Sequence, residues 1–132
     1  MNPFRNTDLA LLLLRLTFGG LMAINHGWGK FMKFFAEGPI KFPDPLGVGE
    51  TLSLALTVFA EFFCALFVVV GLFTRQAVLP LIITMLVAIF VMHWGDPFAK
   101  KELAILYLIP YIILFFMGSG AWSVDGQIRK IL

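Results

Sequence analysis

Four apolar stretches, each close to the length that crosses a bilayer, constrain this chain more than any other feature: residues 8–28, 51–73, 76–94 and 103–118. A helix needs about 20 residues to cross about 30 Å of hydrocarbon at 1.5 Å per residue. Inside lipid every backbone N–H and C=O must find its partner within the protein, which a helix achieves by itself. The pattern therefore predicts an all-α protein, a transmembrane four-helix bundle, with residues 1–132 as one domain. Composition agrees: 60% of the 132 residues are hydrophobic, 14% are charged, and mean hydropathy is +0.92. A soluble domain carries about 25% charged residues. The lipid bilayer is thus the first expected partner.

The same composition narrows the function classes. Formal net charge is +2 and the basic residues are scattered, so no nucleic-acid footprint is expected. Cys64 is the only cysteine, which leaves no CxxC pair for dithiol chemistry. There is no GxGxxG, no P-loop, no HExxH and no nucleophile–base signature, so no catalytic residue is assigned and no metal site is expected. The N-terminal region resembles a signal peptide, but Arg15 interrupts its apolar run and no small-residue cleavage site follows. An uncleaved first helix is expected.

Between spans one and two, Lys30 to Gly49 is first amphipathic and then rich in turns; Pro39, Pro43, Pro45, Gly47 and Gly49 exclude a continuing helix there. Phe31, Phe34, Phe35 and Phe42 mixed with Lys30, Lys33 and Lys41 suit the headgroup layer. A very short turn at Thr74–Arg75 joins spans two and three, and the tail from Ser119 is polar enough to leave the membrane. If the N-terminus is cytoplasmic, Arg5, Arg75, Arg129 and Lys130 lie inside; Lys30, Lys33, Lys41, Lys100 and Lys101 lie outside. This balance is nearly even. The short turn bearing Arg75 and the basic tail favour both termini inside.

Arg15 and Glu61 are the costly residues, because each lies within an apolar span. A charge at such depth costs at least about 2.5–3.5 kcal/mol on insertion scales and normally faces the bundle interior with a partner. Their depths suggest that they pair with each other. Arg15, Gly19, Met22 and His26 share one stripe of span one; Thr57, Glu61 and Cys64 share one of span two. Gly19, Gly20, Ala60 and Ala65 would let the helices approach closely. Two readings stand side by side. In one the pair is a clasp that fixes helix register; in the other Glu61 lines a ligand or proton site.

At the far ends of spans one and three, antiparallel topology gathers His26, Lys30, Trp28, His93, Trp94, Asp96, Glu50 and Glu102 on one side of the membrane. This could be ordinary interfacial decoration, for tryptophan belts and snorkelling lysines are common there. It could instead be a pocket in which histidine hydrogen-bonds a carbonyl or passes a proton, walled by aromatic rings and suited to a quinone-like head. Tyr107 and Tyr111, four apart on span four, read as core packing or as pocket hydroxyls.

Taken in order, the motifs resemble those of the DoxX family of small four-helix membrane proteins. They are Arg15 with FGGLMAINHGWGKF, AEFFCALFVVVGLFTR ending at Arg75, MLVAIFVMHWGDPF, KELAILYL, and GSGAWSVD ending at Asp125. The resemblance covers nearly the whole chain. It implies a bundle in a bacterial cytoplasmic (inner) membrane, with Arg15, His26, Lys30, Glu61, Arg75, Glu102 and Asp125 as the characteristic polar positions. Family members resemble the membrane subunit of thiosulfate:quinone oxidoreductase, and others are linked to oxidative stress or quinone tolerance.

Two functional expectations follow. The first is a redox-associated membrane protein that binds a quinone or similar hydrophobic ring compound beside a soluble oxidoreductase partner. Arg15 and Glu61 would form its buried ion pair; His26, Lys30, His93, Glu102, Trp28 and Trp94 would form its ligand or proton site. The second is a non-catalytic membrane scaffold, possible as a homo-oligomer, or a small-molecule permease-like component. Four spans without an inverted repeat favour scaffolding over transport.

Overall fold

The computed structural model of the chain describes residues 3–132, and side chains from Arg5 onward; Met1 and Asn2 lie outside the described residues. Among the described residues, four long helices and one short one make up the fold. Helix α1 begins with Pro3–Leu14 and runs unbroken through Phe35. Helices α2 (Glu50–Val70) and α3 (Thr74–Met92) follow, then α4 (Phe98–Met117) and the short α5 (Val124–Ile131). Helices α1, α2 and α3 are each long and apolar enough to cross a membrane. Helix α4 has 20 residues, with Lys100, Lys101 and Glu102 confined to its start and no charge from Leu103 to Met117.

The distribution of apolar side chains is that of a bundle solvated by lipid. Leu54, Ala65, Val68, Val78, Leu81, Tyr111 and Leu114 are buried in the centre. Leu13, Ile24, Ile83, Phe90, Ile109 and Phe116 point outward on the spans, and Phe116 is 72% exposed. Water would penalise so continuous an apolar exterior, whereas acyl chains would not.

Helices α1 and α2 pack backbone against backbone. A Cβ on Gly19 would lie 3.0 Å from the Ala65 carbonyl oxygen, and a Cβ on Gly27 would collide with the backbone at Glu61. Gly20 meets nothing within 4 Å, so only one of the two adjacent glycines is a packing residue. Gly27 and Gly29 do not end α1, which continues beyond Trp28 to Phe35. Close packing at Gly27 outweighs the roughly 1 kcal/mol that a glycine costs a helix.

The helical turns widen to π geometry over Arg15–Gly19, Met22–Gly27 and Phe59–Cys64. These stretches contain Arg15, His26 and Glu61. Such bulges are rare and concentrate at functional positions.

The tail does not hang free at the membrane surface. Ser119, Ser123 and Gly126 are buried. The backbone N–H of Ala121 donates to Asp8 (3.0 Å), and the N–H of Asp125 donates to the Gly71 carbonyl (2.8 Å). Asp8 lies inside α1 and ties the tail to it.

Candidate functional site

The two buried charges do not pair with each other. Glu61 accepts both its bonds from the Lys30 ammonium, at 2.7 and 3.0 Å. Arg15 donates to the carbonyl of Val69 at 3.0 Å and to that of Trp122. The expected Arg15–Glu61 clasp is therefore replaced by two separate sites.

The reason is the lean of helical side chains toward their own N-terminus. In α1 that lean carries both Arg15 and Lys30 toward the helix start. In antiparallel α2 it carries Glu61 the opposite way. Arg15 and Glu61 thus diverge, while Lys30 and Glu61 converge. Arg15 instead meets the C-terminal turn of α2, whose last carbonyls have no partner within the helix and whose dipole attracts a cation. Arg15 is only 1% exposed, and its Nε has no hydrogen-bond partner among the described residues.

Around Lys30 and Glu61 the structure assembles a small polar chamber. The Glu61 side chain is 5% exposed and that of Lys30 29%. A cavity of about 190 Å³ is lined by His26, Lys30, Glu61, His93, Tyr107 and Met22, among others. A second cavity of about 240 Å³ shares Lys30, Glu61, Thr84, Ala88 and His93, and is roofed by Phe42 and Pro43 from the loop after α1. The His26 ring meets Tyr107 edge to face, with centroids 5.5 Å apart. Tyr107 stacks on Tyr111, whose hydroxyl donates to the Phe18 carbonyl at 2.9 Å. Thus Tyr111 is anchored in the core, and Tyr107 is the aromatic wall that faces the chamber.

His93 Nδ1 lies 2.8 Å from the Asp96 carboxylate. This bond, with Lys100 and Lys101 nearby, holds the Asp96 carboxyl below its usual range. It also fixes the tilt of the imidazole at the chamber mouth.

Of the residues expected to form the ligand site, His26, Lys30 and His93 come together with Glu61. Trp28, Trp94 and Glu102 line neither cavity. Trp28 is 51% exposed and rests against Phe31 and Phe62. Trp94 is 64% exposed and lies beneath the Lys101 ammonium. Both point outward, as tryptophans at a membrane interface commonly do. Glu102 is exposed at the start of α4. Among the described residues, no group of three or more His, Cys, Asp or Glu is arranged to hold a metal ion.

A second polar cluster closes the opposite end of the bundle. The Asp125 carboxylate accepts from the backbone N–H of Phe73 (2.9 Å) and of Thr74 (3.0 Å), capping α3 from a distant segment. Arg75 donates to the Phe116 carbonyl at 3.3 Å. Gly71 turns the chain at φ 74°, and a Cβ there would collide with both Ser123 and the Arg15 guanidinium. Asp8, Arg75, Asp125 and Arg129 bond backbone groups here, and beside them lies an open cavity of about 800 Å³ that Lys130 also lines.

Fold and chamber together define a class: a helical membrane protein with a semi-buried ion pair at the base of a histidine- and tyrosine-lined chamber. Residues 10–94 match the DoxX family, and the chain belongs to that family. Glu102 and Asp125 lie beyond the matched residues. The chain is 32% identical to an uncharacterized protein of Haemophilus influenzae, over 98% of this chain and 97% of that one. It is 31% identical to an uncharacterized membrane protein of Mycobacterium tuberculosis, over 84% of this chain and 77% of that one. No solved structure matches it.

Proposed function

We propose that this DoxX-family membrane protein binds the ring head of a quinone or a similar hydrophobic ring compound in the Lys30–Glu61 chamber. In that role it serves as the membrane subunit of an oxidoreductase system. The observation that carries this reading is the semi-buried ion pair facing His26, Tyr107 and His93 across two adjoining cavities.

The chemistry suits such a ligand. An ammonium has three N–H donors, and Lys30 spends two on Glu61. The third is free to meet a ring carbonyl, where charge assistance makes the bond strong. Tyr107 supplies a flat face, and aromatic rings prefer offset or edge-on contact with one another. Reduction of a quinone to a quinol takes up two electrons and two protons. The two protons pass through His26 and the Lys30 ammonium, with Glu61 as the carboxylate that holds Lys30; the electrons come from a soluble redox partner docked at a membrane face. Trp28, Trp94 and Glu102 take no part in holding the ring.

We read the membrane as the bacterial cytoplasmic membrane, with both termini inside. Bacterial relatives and the basic residues Arg75, Arg129 and Lys130 at one end support this.

Titration of the purified protein in nanodiscs with a short-chain benzoquinone tests the assignment. Saturable binding is expected, weakened at least tenfold in Lys30→Met and measurably in His26→Ala. Absence of saturable binding to the wild type, or wild type and variants that cannot be told apart, would overturn it.

A further inference from the structure

A further cavity, of about 260 Å³, opens between α2 and α3 and adjoins the chamber: it shares Pro45, Thr57, Thr84 and Val87 with the cavity that reaches Lys30 and Glu61. Its outer rim is Leu46, Leu56, Phe59 and Ile83, each 50–59% exposed. Leu56, Phe59 and Ile83 lie well inside the spans Glu50–Val70 and Thr74–Met92, so the rim faces acyl chains.

The groove is apolar despite its hydroxyl-bearing residues. Thr57 Oγ1 donates to the Ser53 carbonyl, Thr84 Oγ1 to the Pro80 carbonyl, and Ser53 Oγ to Asp44, each at 2.8 Å. These hydrogens are spent inside the wall, and the threonines are left to present their methyl groups. The passage therefore changes character along its length. It is hydrocarbon-like at the lipid-facing rim and charged at its inner end, where Lys30 meets Glu61. A molecule that fits it has the same polarity gradient.

We infer that this groove is the membrane-side entrance and tail subsite of the chamber: the ligand enters sideways from the bilayer between α2 and α3 and leaves its hydrocarbon tail against Leu56, Ile83 and Val87 while its ring head reaches Lys30 and Glu61. This rests on the ring-binding reading above and names the ligand's other half. The ligand class becomes an amphiphile with a polar ring and a long apolar chain, drawn from the lipid phase. The loop bearing Phe42, Pro43 and Pro45 roofs the passage, so the route from lipid does not require that loop to open.

The test compares two quinones with the same ring, one carrying a ten-carbon tail and one carrying only methyl groups. Both are titrated into wild type, Leu56→Trp and Ile83→Trp in nanodiscs. Both side chains are about half exposed, so a larger ring there fills the groove rather than the core. The wild type is expected to bind the tailed ring at least tenfold tighter, and the tryptophan variants to lose that advantage while keeping the affinity for the tailless ring. A tail preference that survives in both variants, or none in the wild type, overturns the tail subsite while ring binding stands. If neither quinone binds the wild type, the ring-binding reading itself fails and takes the subsite with it. Photolabelling the wild type with a tailed quinone bearing a terminal diazirine gives a readout independent of any variant. Adducts on Leu46, Leu56 or Ile83 support the subsite; adducts confined to outward residues of α4, such as Phe116, oppose it.

Discussion

At the residue scale, a charge within a span is tolerable only with its partner. Removing one member of a buried pair leaves the other uncompensated and costs about 3–5 kcal/mol; the partial exposure of Lys30 moves the expected figure toward the lower end. Glu61→Leu is therefore expected to lower stability by about 3 kcal/mol, and Lys30→Met to recover part of that loss when the two are combined. Val69, where Arg15 bonds, lies eight residues beyond Glu61, or about 12 Å along the helix. Arg15→Leu should thus add to Glu61→Leu without coupling. Thermal unfolding in detergent measures both cycles, and coupling of Glu61 to Arg15 instead of Lys30 would contradict the geometry. Glycine supplies a second comparison. Gly27→Ala should destabilise strongly because its new methyl meets the backbone at Glu61, while Gly20→Ala should be neutral or slightly stabilising. Equal melting temperatures for the two variants would refute close packing at Gly27.

At the element scale, the four helices and their all-α character were legible because long apolar runs leave the backbone no alternative in lipid. The inward stripe of span one was also legible, for His26 and Met22 do line the chamber. Which charges would meet was not. Depth alone matched Arg15 to Glu61, but the opposite lean of side chains on antiparallel helices decides the partner, and it selects Lys30. Trp28 and Trp94 were expected in the ligand site from their place at the span ends, but position along a span does not fix which way a ring points, and both point outward. The Asp44 turn was equally silent in sequence. Its carboxylate accepts from Ser53 Oγ and from the backbone N–H of Val48 and Gly49, which together hold its carboxyl below the usual range. A depressed folded value means the turn is fully supported above the unfolded carboxyl value of about 3.9 and loses support as pH falls through the lower folded value. Hydrogen-exchange protection of Val48 and Gly49 should accordingly hold at neutral pH and collapse only in the acid range. In Asp44→Ala it should be absent at every pH.

At the scale of the whole molecule, the two ends of the bundle use their charges differently. At the Lys30 end Lys30 and Glu61 pair with each other, whereas at the Arg15 end Arg15 and Asp125 bond carbonyls and N–H groups of distant segments. Asp125 is the hinge of the Arg15 end, as it caps α3 and, through its own N–H, holds Gly71. Asp125→Ala should cost about 1–2 kcal/mol, as loss of a capping side chain does. Ring binding at the opposite end should be unaltered. A variant as stable as wild type would show that the cap is dispensable.

The bond from Arg15 to Trp122 spans 107 residues of chain, and this separation sets an order of events during biosynthesis. The ribosome delivers Arg15 to the membrane 107 residues ahead of Trp122. Throughout that interval the guanidinium must rest on α2 carbonyls, on water or on lipid phosphates. The segment that carries Trp122 thus works as a latch, and a nascent chain arrested before it would carry a half-satisfied cation that quality-control proteases can recognise.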